Sequence, residues 1–422
     1  MYIYKYSIVD ILTYKNSNVA VRLKDLTDLI KVIPIDNIWE YRHNIDNCII
    51  TKTGVIRAKH GSIKRRELTD NEYSSLKGIK PGKKVSNYTI MYANNEVIHY
   101  NRRNDTIKII NTKYLPYELR GLDSITEKDI YKWIKDRIDN INRTYMNVVY
   151  IARNVGRDSA KVIYDSAGIS IIDNFWIKTS DSDLTWSKIL ALRDSNIALN
   201  NVALHGNLNV DGNLQDGKTS LFTLKGHFAK AILNGYMYKN ISDSIYEYVA
   251  YLIGKQLGID IQECSIDGEY VKIKLFTNND VSLVHASQLN RYFGNDDLLY
   301  NNLTRTDRKD LVKQMQRLYI FNYIIGNPDL HEENYGLLYD ANTFKIIKVA
   351  PCFDHNCAFQ ENFVGITNDV DLEDISMKFI SGHKDIAESA SKLDYSEISR
   401  YLRPLQINQI KQRIAKLLEV IK

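Results

Sequence analysis

Three residues carry the plainest chemistry in this sequence: Asp329 and Asn334 in Gly326-Asn327-Pro328-Asp329-Leu330-His331-Glu332-Glu333-Asn334, and Asp354 in Pro351-Cys352-Phe353-Asp354-His355-Asn356. An Asp five residues before an Asn, with a second Asp twenty residues further on, is the layout of a phosphoryl-transfer site. Such a transfer builds charge on the moving group. The site therefore needs a carboxylate to orient or deprotonate the attacking hydroxyl, and oxygen ligands to hold Mg²⁺. Asp329 could supply the first, Asn334 and Asp354 the second. A lone Asp/Asn pair would equally serve a polar turn, because both side chains bond nearby backbone. The ordered triple is the stronger signal.

The elements around these residues have to bring them together. Tyr335 to Tyr339 and Phe344 to Ala350 are apolar, β-prone runs on either side of Asp340-Ala341-Asn342-Thr343, which predicts a hairpin that folds Asp354 back beside Asn334. Upstream, Leu311, Met315, Leu318, Tyr319, Phe321, Ile324 and Ile325 predict a buried helix feeding the loop of Asp329. Phe222 to Lys239 reads as two strands about the turn Asn234-Gly235. Lys239, at the end of the second strand, could reach nucleotide phosphates; Gly226 would let backbone approach them, with Lys230 as a second cation. Ile245 to Gly258 predicts a helix with Glu247 in its first turn, where a carboxylate also suits the helix dipole. Tyr395 to Ile421 predicts closing helices.

The segment FNYIIGNPDLHEENYGLLYDANTFKIIKVAPCFDHNCAF, Phe321 to Phe359, resembles the catalytic core of HipA-like kinases, serine/threonine kinases best known from toxin–antitoxin pairs. Gly168 to Ile177 is similar to the stretch that opens the kinase part of such proteins. Leu224 to Lys230 is similar to their phosphate loop, and Gly235 to Lys239 to their nucleotide-lysine strand. The resemblance covers roughly 115–422. It implies an α+β, two-lobed protein-kinase-like fold of HipA type, with ATP and Mg²⁺ as cofactors. It further implies Asp329 and His331 at the catalytic loop, and metal held by Asn334 and Asp354. The nucleotide would lie at Gly226, Lys230, Lys239, Glu247 and the backbone near Phe276, with Glu247 holding Lys239. His331 would orient the loop rather than carry the proton. Autophosphorylation at Thr219, Ser220 or Thr223 and a DNA-binding antitoxin partner are further implications. Departures are plain: there is no G-x-G-x-x-G, H-R-D or D-F-G, and Asn327-Pro328-Asp329 and Asp354-His355-Asn356 stand in the last two places.

Composition bounds the rest. The 422 residues are 44% hydrophobic and 25% charged, which fits a soluble globular protein of two or three domains. No apolar run reaches membrane-span length and the first residues lack a signal-peptide layout, so the expectation is cytoplasmic, without a membrane partner. Cys48, Cys264, Cys352 and Cys357 are too scattered for a disulfide framework, and Cys352, His355 and Cys357 lack the second ligand pair of a zinc site; packing around the hairpin is the expected role.

The net charge of +5 hides an asymmetry: residues 1–170 hold 29 Lys/Arg against 19 Asp/Glu, and 171–422 hold 27 against 32. The excess sits mainly in Lys52 to Lys113, including Lys64-Arg65-Arg66, Lys83-Lys84 and Arg102-Arg103. Such a patch could dock nucleic acid or an acidic protein, or be a solvated basic face. Short alternating runs between Ile49 and Ile110 predict a small β-rich domain. A capping signal at Ser124 to Glu127 opens an amphipathic stretch, Asp129 to Tyr150, containing Trp133, Arg137 and Arg143. The expected organisation is a basic β-rich accessory domain at 1–114, a helical bridge and kinase N-terminal lobe at 115–282, and a mainly helical C-terminal lobe at 283–422. With what the HipA-like resemblance implies, the leading reading is an ATP/Mg²⁺-dependent serine/threonine protein kinase, a growth-inhibiting toxin acting on a translation-related protein and on itself. A small-molecule or lipid kinase and a non-catalytic nucleotide- or nucleic-acid-binding module are the alternatives.

Overall fold

The Asn234-Gly235 dipeptide does what its chemistry predicts. In a computed structural model of the chain, Asn234 (φ 50°) and Gly235 (φ 78°) close a two-residue hairpin, the left-handed pair that matches strand twist. The structure describes residues 87–101, 104–137, 167–180, 182–193, 204, 229–295, 297–367 and 369–422, and of residues 1–67 the strands alone. Gly226, Thr219, Ser220 and Thr223 lie outside the described residues, as do Ile138 to Tyr150 of the expected amphipathic stretch. So do the side chains of Lys64, Arg65, Arg66, Lys83, Lys84, Arg102 and Arg103.

The N-terminal strands are β1 (Ile3–Tyr4), β2 (Ser7–Tyr14), β3 (Ser17–Lys24), β4 (Ile30–Pro34), β5 (Glu40–Tyr41), β6 (Cys48–Thr51), β7 (Gly54–Arg57) and β8 (Lys64–Glu67). They form two sheets, ordered β4-β3-β2-β8 and β1-β7-β6-β5. Next come β9 (Asn87–Tyr92), β10 (Asn95–Asn101) and β11 (Thr106–Ile109), followed by helices α1 (Tyr117–Arg120) and α2 (Glu127–Lys135). The cap of α2 lies two residues past the start of the expected signal: the Thr126 backbone N–H donates to the Asp129 carboxylate at 3.0 Å.

Strand β12 (Phe175–Thr179) pairs antiparallel with β9, in a sheet ordered β11-β10-β9-β12. Strands expected in the 1–114 unit and a strand expected in the kinase part thus share one sheet. That sheet and helix α1 also pack on the C-terminal half of the chain: the Tyr92 hydroxyl of β9 donates to the Ala341 carbonyl (2.7 Å) and the Tyr117 hydroxyl of α1 to that of Phe344 (2.5 Å).

After helix α3 (Trp186–Arg193), the first lobe is the sheet β13-β14-β16-β15, built from β13 (Lys230–Leu233), β14 (Tyr236–Asn240), β15 (Cys264–Asp267) and β16 (Tyr270–Lys274), with helix α4 (Ile241–Gln256) against it. Helix α4 starts at Ile241, so Glu247 stands in its second turn. The first-turn acid is Asp243. A charge–dipole role for Glu247 is therefore excluded, and its burial needs another explanation.

The second lobe opens with β17 (Val281–His285) and α5 (Ala286–Phe293), continues through α6 (Leu299–Thr304) and α7 (Lys309–Ile325), and carries the hairpin β18 (Gly336–Asp340) and β19 (Ile346–Val349). The expected turn forms because Asp340 Oδ1 accepts from the backbone N–H groups of Asn342 (3.0 Å) and Thr343 (2.7 Å). Helices α8 (Leu372–Phe379), α9 (Lys384–Ser391) and α10 (Pro404–Ile421) close the lobe. Helix α7 is buried on all sides over its last eight residues, Leu318 to Ile325. Each large apolar side chain buried there contributes about 1.5–3 kcal/mol, so the residues following α7 hang from the most firmly packed element of the lobe. No helix among the described residues is long and apolar enough to cross a membrane.

Candidate active site

The two lobes meet at a cleft of ≈ 650 Å³, within the usual range of small-ligand sites. Antiparallel register puts Lys239 opposite Lys230, so both side chains leave the same face of the hairpin and both are buried at the cleft. Two ammonium groups on directly opposed positions repel; carboxylates offset this. Lys239 Nζ lies 2.6 Å from Glu247 Oε1, 3.1 Å from Asp354 Oδ1 and 3.3 Å from Asn356 Oδ1. Burial works to lower the Lys239 pKa, and Asp354 with Glu247 more than reverse it, so the ammonium is held charged. At Asp354 removal from water works to raise the pKa; Lys239 and Lys230 outweigh it and hold the carboxyl below its usual range.

Glu247 has a second function that sequence alone does not disclose. Its Oε2 accepts the His355 backbone N–H at 2.9 Å, so one buried carboxylate fixes both the strand lysine and the segment carrying Asp354. Asp354 itself has φ +60°, a left-handed conformation that Asp tolerates better than most residues. Strain at such a position accompanies functional segments and has to be held by its surroundings.

The catalytic-type loop begins where α7 ends. Gly326 adopts the left-handed C-cap (φ 60°, ψ 58°), and a side chain there would meet the Arg413 guanidinium, whose Nε donates to the Ile324 carbonyl at 3.0 Å. Asn327 Oδ1 then accepts the Asp329 N–H (3.2 Å), and Asn334 Nδ2 donates to the Asp329 carbonyl (2.7 Å). The loop is thus tied to itself across the five-residue spacing that the sequence displays. His331 accepts the Glu333 N–H through Nδ1 (3.2 Å), which leaves Nε2 as the protonated nitrogen, 3.8 Å from Asp329 Oδ1. That distance is too long for a hydrogen bond, so the ring braces the loop. The Asp329 side chain is 45% exposed, at the open end of the cleft.

The other end is apolar. Met237, Ile273, Leu275, Phe276, Leu283 and Phe353 line it, with the Phe276 and Phe353 rings 5.4 Å apart. The link between lobes is clamped from outside: the Thr277 hydroxyl donates to the Ile171 carbonyl and the Leu283 N–H to that of Ile172, both at 2.7 Å. Behind it the buried Arg137 guanidinium makes a two-pronged bond to Asp173 (2.7 and 2.8 Å) and lies over the Trp133 ring.

Of the sequence-expected site residues, the cleft unites Asp329, His331, Asn334, Asp354, Lys230, Lys239, Glu247 and Phe276; Gly226 alone falls outside the described residues. Cys352 and His355 are buried as expected, whereas Cys357 is half-buried and lines the cleft, its thiol pushed up to about 11 by burial and by Asp329. Sequence reasoning missed Asn356, although its place two residues after Asp354 was the available signal, and it missed the apolar lining beyond Phe276.

The donor set fits a divalent cation. Asn334 Nδ2 is engaged by the Asp329 carbonyl, which turns its oxygen outward, and Asp354 is ionised. Mg²⁺ typically takes one or two protein oxygens and fills the rest of its shell with water and phosphate. Asn334 and Asp354 would hold it.

Fold and cleft together define a two-lobed, kinase-like α+β protein. The profile of the HipA-like C-terminal domain matches residues 209–420, half of the chain, and the chain belongs to that family. Among solved structures it is similar to the Helicobacter pylori proinflammatory kinase CtkA, at 18% identity over 46% of this chain and 90% of that one, with a TM-score of 0.32. It is also similar to HipA of Shewanella oneidensis MR-1, solved as a toxin–antitoxin complex with HipB and operator DNA, at 11% identity over 79% of this chain and 96% of that one, with a TM-score of 0.46. No curated protein matches the chain.

Proposed function

We propose that this protein is an ATP- and Mg²⁺-dependent serine/threonine protein kinase of HipA type that modifies itself and a second, translation-related protein. The observation that carries the reading is the single cleft holding Lys239, Glu247 and Asp354 on one side and Asp329 and Asn334 on the other. ATP lies with its base among Met237, Leu275, Phe276 and Phe353 and its phosphates against Lys239 and Lys230. Asp329 orients the acceptor hydroxyl and takes its proton as that oxygen bonds to the γ-phosphorus and the bond to the bridging oxygen breaks, releasing ADP. Bound Mg²⁺ supplies charge neutralisation on the phosphate oxygens. His331 keeps the loop in shape.

A macromolecular acceptor is favoured over a small one because Asp329 stands at the open end, where nothing among the described residues encloses a metabolite. Family membership supports a toxin that a DNA-binding antitoxin restrains, acting in the cytoplasm, with autophosphorylation at Thr219, Ser220 or Thr223. The proposed division into 1–114, 115–282 and 283–422 has the β9–β12 sheet as the joint between its first two parts. The basic N-terminal part is the proposed dock for nucleic acid or an acidic protein. The test is to incubate the protein with Mg²⁺, γ-labelled ATP and a cell extract separated into macromolecules and small solutes. Label in protein is the expected result; label confined to the small solutes would replace this reading with a metabolite or lipid kinase.

A further inference from the structure

Among the described residues, Asp354 commits one oxygen and leaves the other open. Oδ1 accepts from Lys239 Nζ (3.1 Å) and from Asn356 Nδ2 (3.0 Å), whereas no hydrogen-bond donor among the described residues reaches Oδ2. The Asn356 amide has only one workable orientation. Its Oδ1 lies 3.3 Å from the Lys239 ammonium; turned over, its NH₂ would face the ammonium and its oxygen the carboxylate. Asn356 thus completes a closed triangle with Lys239 and Asp354. Its backbone follows directly on His355, whose N–H is tied to Glu247. Asn356 is half-buried and lines the cleft.

We infer that Asn356 is a positioning residue of the cation site: it pins Asp354 Oδ1 so that Oδ2 faces the divalent ion. The inference rests on the reading of Asp354 as a metal ligand. The terminal torsion of an Asp side chain is broad and roughly two-fold, so Lys239 alone would leave the carboxylate free to turn either oxygen, or both, toward the ammonium. A neutral amide removes that freedom without adding charge to a cluster already balanced between two lysines and two carboxylates. Partners that orient a metal-binding carboxylate typically account for 10- to 100-fold in metal affinity.

The test is a titration of the full chain with Mn²⁺ in the presence of a saturating non-hydrolysable ATP analogue, read by the electron paramagnetic resonance of free Mn²⁺. Wild type is compared with Asn356→Ala, the nearly isosteric Asn356→Leu, and Asp354→Asn. The expected result is an affinity about tenfold or more weaker in both Asn356 variants, with metal-free analogue binding kept within threefold, which also reports an intact cleft. Mn²⁺ affinity within twofold of wild type in either Asn356 variant, beside a loss in Asp354→Asn, would overturn the role of Asn356 and leave the site reading standing. Unchanged affinity in Asp354→Asn would overturn both.

Discussion

Neutralising Glu247 should loosen the tie between Lys239 and the segment carrying Asp354 and destabilise the fold around it. Its side chain and that of Lys239 are each 3% exposed, and its two oxygens hold Nζ at 2.6 Å and the His355 N–H at 2.9 Å. Removing one partner of a buried pair costs about 3–5 kcal/mol, because the other charge is left in a poor medium. At about 2–4 °C per kcal/mol for a domain of this size, Glu247→Gln should lower the melting temperature by roughly 6–20 °C. Lys239→Met should do likewise. The double variant Lys239→Met/Glu247→Leu should recover most of the loss, because an apolar pair of similar volume replaces a buried ion pair at little or no cost. Its phosphoryl transfer should stay absent. Lys239 has a folded pKa raised above its unfolded value near 10.4. The stabilisation is therefore complete below about pH 10.4 and is lost only as the pH rises through the folded value, so the difference between wild type and Glu247→Gln should be flat from about pH 6 to 9. Calorimetric melts of the four proteins decide it. Single variants that melt within 1–2 °C of wild type, or a double variant that loses the sum of the two, would refute the argument.

Asp329→Asn should lower transfer by about 10²–10⁴ with nucleotide affinity little changed, and His331→Ala should lower it less, since the ring braces the loop from 3.8 Å; equal losses in two folded variants would make His331 a direct participant. Glu118 accepts from Gln288 Nε2 at 2.7 Å, and burial raises its pKa to about 7. A folded carboxyl that keeps its proton while the unfolded one has lost it makes stability fall as pH rises between about 4.3 and 7, by at most ~1.4 kcal/mol per unit. Glu118→Gln should flatten that slope, and parallel denaturation curves for the two proteins would contradict it. Gly336 pairs with His285 across β17 and β18, and a methyl group there would come 2.1 Å from the Val284 carbonyl oxygen. Gly336→Ala should therefore cost about 1–3 kcal/mol, roughly 2–12 °C, and lower turnover through Asn334 two residues away; a melt matching wild type would show that the strands yield freely.

That Asp329, Asn334 and Asp354 come together at one cleft was legible because their placement is local. Asp329, Asn334 and Asp354 are set by one loop and one hairpin, whose turn chemistry is written in Asp340 to Thr343, and Lys239 follows a two-residue turn that only Asn-Gly-like pairs make well. Glu247 was named but placed in the first turn of a helix beginning at Ile245; α4 begins at Ile241 and takes in Ser242, Asp243 and Ser244, residue types that favour caps and turns, which puts Glu247 in the second turn. Its bond to the His355 N–H joins residues 108 apart in sequence, which no local pattern encodes. The pairing of β12 with β9 was hidden for the same reason, since Phe175 meets Tyr92, 83 positions earlier in the sequence (175 − 92). Asn356 was overlooked because its value lies in two contacts, one of them to a lysine on another lobe.

The central claim is that Asp329 directs a γ-phosphoryl group of ATP to a hydroxyl. Purified wild-type protein and a folded Asp329→Asn variant, each incubated with Mg²⁺ and γ-labelled ATP and mapped by mass spectrometry, test it most directly. Label on a seryl or threonyl side chain in the wild type, absent or reduced by at least 10²-fold in the variant, is the predicted result. Equal labelling of the two proteins, or no binding of ATP by either, would contradict it.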